Sequence, residues 1–531
     1  MVETTKISDL VQIKLIHTKN GKEINYIVEE PELTEKEKST LEEIKGLLKE
    51  TIEYDYKAIA EKQDPKEYLT KKLKEVIKEK FKTVGRVFFE KIKYYIIRDF
   101  VDYGKIDPIM KDPNIEDIYC NGANVPIFIR HRKYGSLKTN IVFRDLDILE
   151  KFVMVLSQKS KRFVTYAEPL LDATLPDGSR LQATFGQDVT LKGPTFSIRK
   201  FQKLPLTPIE MIKFKTASPA MMAYIWLAIE SGVSLLIAGG SGTGKTSFLN
   251  AICMFIPPEH KIISIEDTSE LNLSHENWVK AITRTGYGPK TEKVRYGEVT
   301  MFDLLKTSLR QRPDYLIVGE IRGEEASVLF QGMASGHPSL GTIHAESLDA
   351  VIERLTTPPI NLPPSLIELV DVVILEILAT SKGPNARRIS KVIEIKNVAH
   401  GKPDVKTPFL WDSYNDTFMP IETFLIPTSQ YDSFLIEKIS LRTGKTKDAL
   451  LQELKRRERI INWMVKNDVK DFHEVSNIIS NYWYSPKSVL EKISKEVKPV
   501  KKVELKKIKL KKIKPKIKLK KIKPKKRKAG K

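Results

Sequence analysis

Eight consecutive residues restrict this chain more than any other feature: Gly239-Gly240-Ser241-Gly242-Thr243-Gly244-Lys245-Thr246. They satisfy G-x-x-x-x-G-K-[ST] and lie between an apolar run at 233–238 and a helical pattern that starts at Lys245 and stops at Pro257-Pro258. A strand, a glycine loop and a helix in that order build a phosphate cradle, because glycines let the backbone curl until its N–H groups and the helix N-terminus converge on one point. The candidate nucleotide-binding residues are therefore Gly239, Gly240, Ser241, Gly242, Thr243, Gly244, Lys245, Thr246 and the adjoining Ser247. Lys245 is placed to reach terminal phosphates and Thr246 to offer its hydroxyl to Mg²⁺. ATP or GTP binding follows.

Downstream, the hydrophobic pattern alternates strands with helices. Strands are expected at 261–265, 315–318 and 340–344, with a helix at 324–335, which predicts a parallel sheet covered on both faces. Hydrolysis needs a carboxylate at a strand end beside the loop. Tyr315-Leu316-Ile317-Val318-Gly319-Glu320 supplies four apolar residues and then Glu320. Gly319 stands where many P-loop proteins carry a metal-binding Asp, so metal contact is expected through Thr246 and through water held by Glu320. A second acidic cluster, Glu266-Asp267-Thr268-Ser269-Glu270, also follows a strand, the place where ligands gather in open α/β sheets. His337 and His344 lie seven apart around the last of these strands.

Segment 220–240 is 21 residues long with the single charge of Glu230. That charge falls at its centre, where an ionisable group is most costly in lipid, and the segment runs into the phosphate loop. A buried helix, a turn and a buried strand are expected, and no transmembrane span.

Ahead of this half, Thr34-x-x-Glu37 reads as a capping box opening a helix to about 51, and a long apolar stripe continues helix over 66–102. From 104 to about 199 short strand candidates (115–119, 126–130, 140–143) alternate with turns and one helix near 146–157. Segment 201–217 has three prolines nearby and no sustained period, and reads as a linker.

Charge is concentrated at one end. Residues 497–531 carry 19 Lys/Arg against Glu504, leaving only +4 of the net +22 for the other 496 residues. The nonapeptide KIKLKKIKP occurs at 507–515 and again at 516–524. Dense like charge with a proline every nine residues argues for a disordered tail. A pore that threads nucleic acid needs basic lining in the folded body, so nucleic acid is not the expected partner. Cys120 and Cys253 supply neither a disulfide framework nor a four-cysteine zinc site.

Four motifs in combination resemble the type II and type IV secretion ATPase superfamily, most closely its archaeal branch of type IV pilus and archaellum motors. They are the P-loop; Ile263-Ser264-Ile265-Glu266-Asp267; Arg312-Pro313-Asp314 running through Glu320-Ile321-Arg322; and Gly336-His337 with Gly341-Thr342-Ile343-His344-Ala345. The resemblance covers about 103–395. The patterns above divide the chain into a helical module (1–102), a small α+β domain (103–200), the linker (201–217), an α/β domain (218–488) and the tail (489–531), and the resemblance implies that 218–488 is a RecA-like P-loop ATPase domain and that 103–200 covers the nucleotide, while the tail is no part of the family pattern. The resemblance implies Glu320 as general base, Glu266 as an auxiliary acid near magnesium, and His344 as a sensor of the terminal phosphate. Pro176-Asp177-Gly178-Ser179-Arg180 and Phe196-Ser197-Ile198-Arg199-Lys200 are similar to segments through which the family covers its nucleotide, which makes Arg180 and Arg199 the candidate cations for the transferred phosphoryl group. Arg310, Arg312 and Arg322 are candidates for action across a subunit interface. The implied function is an ATP-hydrolysing homo-hexamer, cytoplasmic and peripheral to the membrane, turning a polytopic platform protein in pilus-like assembly or secretion; a nucleic-acid translocase is the alternative. Contact of 497–531 with anionic lipid is a further expectation. The family's bacterial zinc module has no counterpart in these residues.

Overall fold

The computed structural model describes residues 2–18, 23–51, 64–81, 84–201, 204–284, 286–291, 294–383, 385–399, 402–419 and 433–496. Two nine-stranded sheets dominate it.

The first sheet contains β1 (Glu3–Lys6), β2 (Gln12–His17), β3 (Ile24–Glu29), β4 (Ile115–Cys120), β5 (Pro126–His131), β6 (Gly135–Val142), β7 (Leu170–Thr174), β8 (Arg180–Thr184) and β9 (Thr195–Arg199). Their order is β1-β2-β3-β6-β5-β4-β9-β8-β7. Helix Leu146–Lys159 buries Leu149, Val153 and Leu156 in the same core as Ile118, Ile129, Phe196 and Ile198. Its start is fixed by Asp145, whose carboxylate accepts the Ile148 N–H.

The chain's first thirty residues correct the helical module expected over 1–102. They form β1 to β3, and β3 pairs in parallel with β6 through Asn25–Lys138 and Tyr26–Thr139. The period-two burial of Ile13 and Leu15 on β2 is the physical cause. Helices begin where the capping box places them: Thr34 N–H donates to the Glu37 carboxylate at 2.8 Å and opens Glu35–Thr51. Helices Pro65–Lys80 and Arg86–Phe100 complete a small cluster around Ile44, Leu48, Leu73, Ile92 and Ile96.

The second sheet contains β10 (Leu235–Gly239), β11 (Ile262–Glu266), β12 (Trp278–Ile282), β15 (Tyr315–Ile321), β16 (Ser339–Ile343), β17 (Val372–Leu378), β18 (Arg387–Ala399), β19 (Lys402–Asp412) and β20 (Thr417–Met419). A separate hairpin pairs β13 (Tyr287–Thr291) with β14 (Val294–Tyr296). The order is β12-β11-β15-β16-β10-β17-β18-β19-β20, parallel from β12 to β17 and antiparallel beyond. β10 is thus central and buried along its whole length, with β16 and β17 on its two sides. This is the RecA-like α/β domain, and its strand ends face the first sheet.

Helix Pro219–Glu230 is apolar on every side because it is covered on every side: the sheet lies against one face and helix Lys447–Lys466 against another. Glu230 is paired with the buried Arg457 at 2.7 Å, so the charge that argued against a membrane span sits in a protein ion pair. Among the described residues, no helix is long and apolar enough to cross a membrane.

Two boundaries move. The segment expected as a plain linker holds helix Pro208–Lys213, started by a Thr207–Glu210 capping box, with Ile209 and Met211 buried in the large core. The tail expected from 489 opens inside helix Pro486–Glu496, whose Ile493 is buried. The expected tail from 497 onward lies outside the described residues.

Candidate functional site

The C-terminal ends of β10, β11, β15 and β16 open into a cleft of about 420 Å³ whose opposite wall is the first sheet. Ser241, Gly242, Gly244, Lys245, Thr246 and Ser247 line it, together with Glu266, Glu320, His344, Arg180 and Arg199. Residues as far apart in sequence as Arg180 and His344 are therefore gathered around one cleft. The loop is tightly wound: Lys245 Nζ donates to Gly240 O at 2.8 Å and Thr243 Oγ1 to the same carbonyl at 3.1 Å. Gly244 has φ +111°, and a Cβ there would lie 2.8 Å from Arg387 Cδ and 2.9 Å from Glu376 Oε1, so only glycine fits. Partial burial pulls the Lys245 ammonium below its usual range.

Gly319, which departs from the common Asp, has a structural reason. A Cβ at 319 would meet Glu266 Cγ at 3.2 Å, so the space beside the strand is already taken by the second acidic group. Glu266 is 1% exposed. Its Oε1 accepts the Glu270 and Leu271 N–H groups at 2.9 and 2.8 Å, while Oε2 has no hydrogen-bond partner and lies 3.9 Å from Lys280. Burial pushes this carboxyl up to about 7 against the pull of the two amides and Lys280.

Glu320 behaves oppositely. Half-burial pushes it up, but the hydrogen bond and charge of Arg322, with Lys245 and His344, outweigh that and hold its carboxyl below the usual range. Two carboxyls whose environments drive them apart are the pattern expected of groups with different roles. His344 is fixed through its backbone, where Arg354 donates to its carbonyl at 3.1 Å. His337 lies off the cleft lining, with Nδ1 3.2 Å from Gly332 O, as a packing contact.

The facing sheet contributes Arg180, bound to both oxygens of Asp172 at 2.8 and 3.3 Å, and Arg199, 3.3 Å from Asp117 and two-thirds exposed. Both line the cleft of their own chain. Arg322 lines it too, whereas Arg310 and Arg312 do not.

Sequence reasoning passed over Arg387. This residue opens β18, lines the cleft, donates from Nε to Gly242 O at 3.3 Å and sets Nη1 3.9 Å from Glu116 of the first sheet. Neighbouring Asn385 donates to Arg132 O at 2.7 Å, so one turn ties the two domains together beside the loop. No spacing rule marks that turn; only the sheet order brings it to the cradle.

The family model described as "Type II/IV secretion system protein" matches residues 100–405. The chain belongs to this family. Relatives extend the match: the uncharacterized protein MJ0900 of Methanocaldococcus jannaschii is 36% identical over 73% of this chain and 69% of its own length. The type IV secretion system protein PtlH of Bordetella pertussis is 31% identical over 40% of this chain and 67% of its own. Among solved structures, the VirB11 ATPase of the Brucella suis type IV secretion system is similar at 25% identity over 54% of this chain and 90% of that one, with a TM-score of 0.28. The family match takes in part of each sheet and every residue that lines the cleft.

Proposed function

We propose that this member of the type II/IV secretion family is an ATP-hydrolysing homo-hexameric motor that powers assembly of a type IV pilus-like filament, or a related secretion step, from the cytoplasmic face of the membrane. One observation carries the reading: Lys245, Glu266, Glu320 and His344 of one domain and Arg180 and Arg199 of the other face a single cleft.

In this reading the loop's N–H groups and Lys245 hold the phosphates. Glu320, kept ionised by Arg322, is the base that takes a proton from the attacking water. His344 faces the terminal phosphate, and Arg180 and Arg199 supply positive charge to oxygens that gain charge during transfer. The Thr246 hydroxyl and the unpartnered Glu266 Oε2 suit a hydrated Mg²⁺, with further water held by Glu320. When bound, Mg²⁺ would neutralise phosphate charge. Because the cationic wall belongs to the first sheet, nucleotide binding would draw the domains together around 201–217 and release would part them. That cycle, repeated round a ring, is the work expected to turn a polytopic platform protein.

The deciding experiment measures phosphate release from ATP alongside the mass of the particle. Hydrolysis by a hexamer that is lost in Glu320→Gln supports the proposal; a chain that binds ATP with no turnover in any assembled form refutes it.

A further inference from the structure

One carboxyl close to the cradle has no part in the steps above. Glu376 stands on β17 in register with Gly239 of β10 and is 1% exposed. Its Oε1 lies 2.9 Å from the position a Cβ on Gly244 would occupy, and its Oε2 has no hydrogen-bond partner. It is absent from the cleft lining and so sits behind the loop.

The charged groups that act on it are two. Arg387 comes from β18 and Lys245 from the helix that follows the loop. Gly239 of β10 and Ile389, its register partner on β18, bring none. Each cation turns one donor to the loop instead, Lys245 Nζ to Gly240 O and Arg387 Nε to Gly242 O, and neither makes a hydrogen bond to Glu376. Burial without a hydrogen bond therefore wins, and pushes the carboxyl up to about 8 despite the two cations.

A phosphate entering the cradle places fresh negative charge on the other side of Gly244, and draws on the same Lys245 and Arg387. We propose that Glu376 is a positioning residue acting through those two cations: ionised, it competes with phosphate for them, and protonated, it leaves them to the phosphate, so that nucleotide binding takes up a proton at this buried carboxyl. The proton comes from solvent, and no other bond forms or breaks. The inference rests on reading the cradle as a nucleotide site.

Calorimetric titration of the full chain with Mg–ADP at pH 8, in two buffers of different ionisation enthalpy, counts protons directly. With the carboxyl half ionised near that pH, an uptake of about half a proton per nucleotide is expected, and affinity should fall by at most about tenfold per pH unit above it. Glu376→Gln should bind Mg–ADP with that uptake removed and a flatter pH profile, while Glu376→Asp should retain it. Lys245 also gains a proton if it starts neutral, and the Gln variant subtracts its share. Binding with no uptake by the natural chain overturns the inference while leaving the nucleotide site intact, and needs no variant to fold. Equal uptake by the natural chain and Glu376→Gln overturns it as well. Failure to bind Mg–ADP at all overturns both the inference and the reading beneath it.

Discussion

Arg322 donates to the carboxylate of Glu320, two residues before it at the end of β15, while its other arm lies 3.6 Å from Asp267. The proposed base is thus held ionised by a cation that also occupies one of its oxygens. Replacing Glu320 by Gln keeps the size and the Arg322 contact but removes the proton acceptor. Glu320→Gln is expected to bind ATP normally and lose about 10² to 10⁴ in turnover. Lys245→Ala should weaken binding itself, because the loop then loses its only ammonium. Equilibrium binding of a fluorescent ATP analogue, run beside phosphate release, separates the two; undiminished turnover in Glu320→Gln would sink the assignment.

Arg322 sets the pH range over which Glu320 works. Its hydrogen bond and charge are what hold that carboxyl below the usual range against burial. A base must be ionised to act, so turnover should fall as pH drops through the Glu320 value, and Arg322→Gln should move that acid limb to higher pH. A pH–rate profile with an unshifted acid limb would show that Arg322 does not tune the base.

Glu266 links the site to stability. Its folded-state value is raised from 4.5 to about 7 by burial, so the folded chain keeps a full advantage below the unfolded value and loses it as pH rises through about 7. The loss is about 3 kcal/mol at one pKa unit per 1.36 kcal/mol. Glu266→Gln keeps an oxygen for the Glu270 and Leu271 N–H groups and removes the charge. It should melt higher than the natural chain at pH 8, match it near pH 4.5, and turn over ATP more slowly. Equal melting temperatures at pH 8 would contradict the buried, uncompensated carboxylate.

What could be read in the sequence, and what could not, divides along one line. The loop, the strand ending at Glu320 and the strand ending at Glu266 are contiguous segments in which local pattern and chemistry coincide, so their place at one sheet edge followed from the alternation of strands and helices. Gly319 could be noted as a departure, but its cause, a Glu266 side chain 3.2 Å from where a Cβ on 319 would lie, is a contact between strand residues 53 positions apart. Glu376 and Arg387 were invisible for the same reason. They reach the cradle because β17 pairs with β10 and β18 with β17, and no motif spans those pairings. Strands β1 to β3 were missed because period-two burial over six residues is weak beside the long helical stripes that follow.

The arginines of the first sheet are the test of domain cooperation. Arg180 and Arg199 face the loop of their own chain, each steadied by an aspartate of the same sheet. Removing one preorganised donor to a developing oxyanion typically costs about 10² in kcat or more, with binding less affected. Arg199→Ala should show that split, and activity per chain should rise with protein concentration as rings form. A strictly monomeric enzyme with a concentration-independent rate would refute the assembly reading.

The basic segment at 497–531 lies outside the described residues, and its expected role rests on chemistry alone. Lys alternates with Ile or Leu through both nonapeptides, so each cation has an apolar neighbour. A basic side chain beside an anionic leaflet gains about 1 kcal/mol, and the segment holds 19 of them. Even a fraction of that sum would hold the proposed ring against an anionic membrane surface. Nucleic acid also attracts polycations, but the net +4 of the other 496 residues weighs against a basic track for it. Salt distinguishes a purely electrostatic contact from one with apolar insertion, since charge–charge attraction between exposed groups fades beyond about 8 Å at physiological ionic strength. The full chain should therefore float with anionic vesicles and not with neutral ones, and keep part of that binding in raised salt. A chain ending at Glu496 should stay at the bottom of the gradient with its ATPase unchanged. Equal flotation of the two chains would remove the segment from any account of membrane attachment.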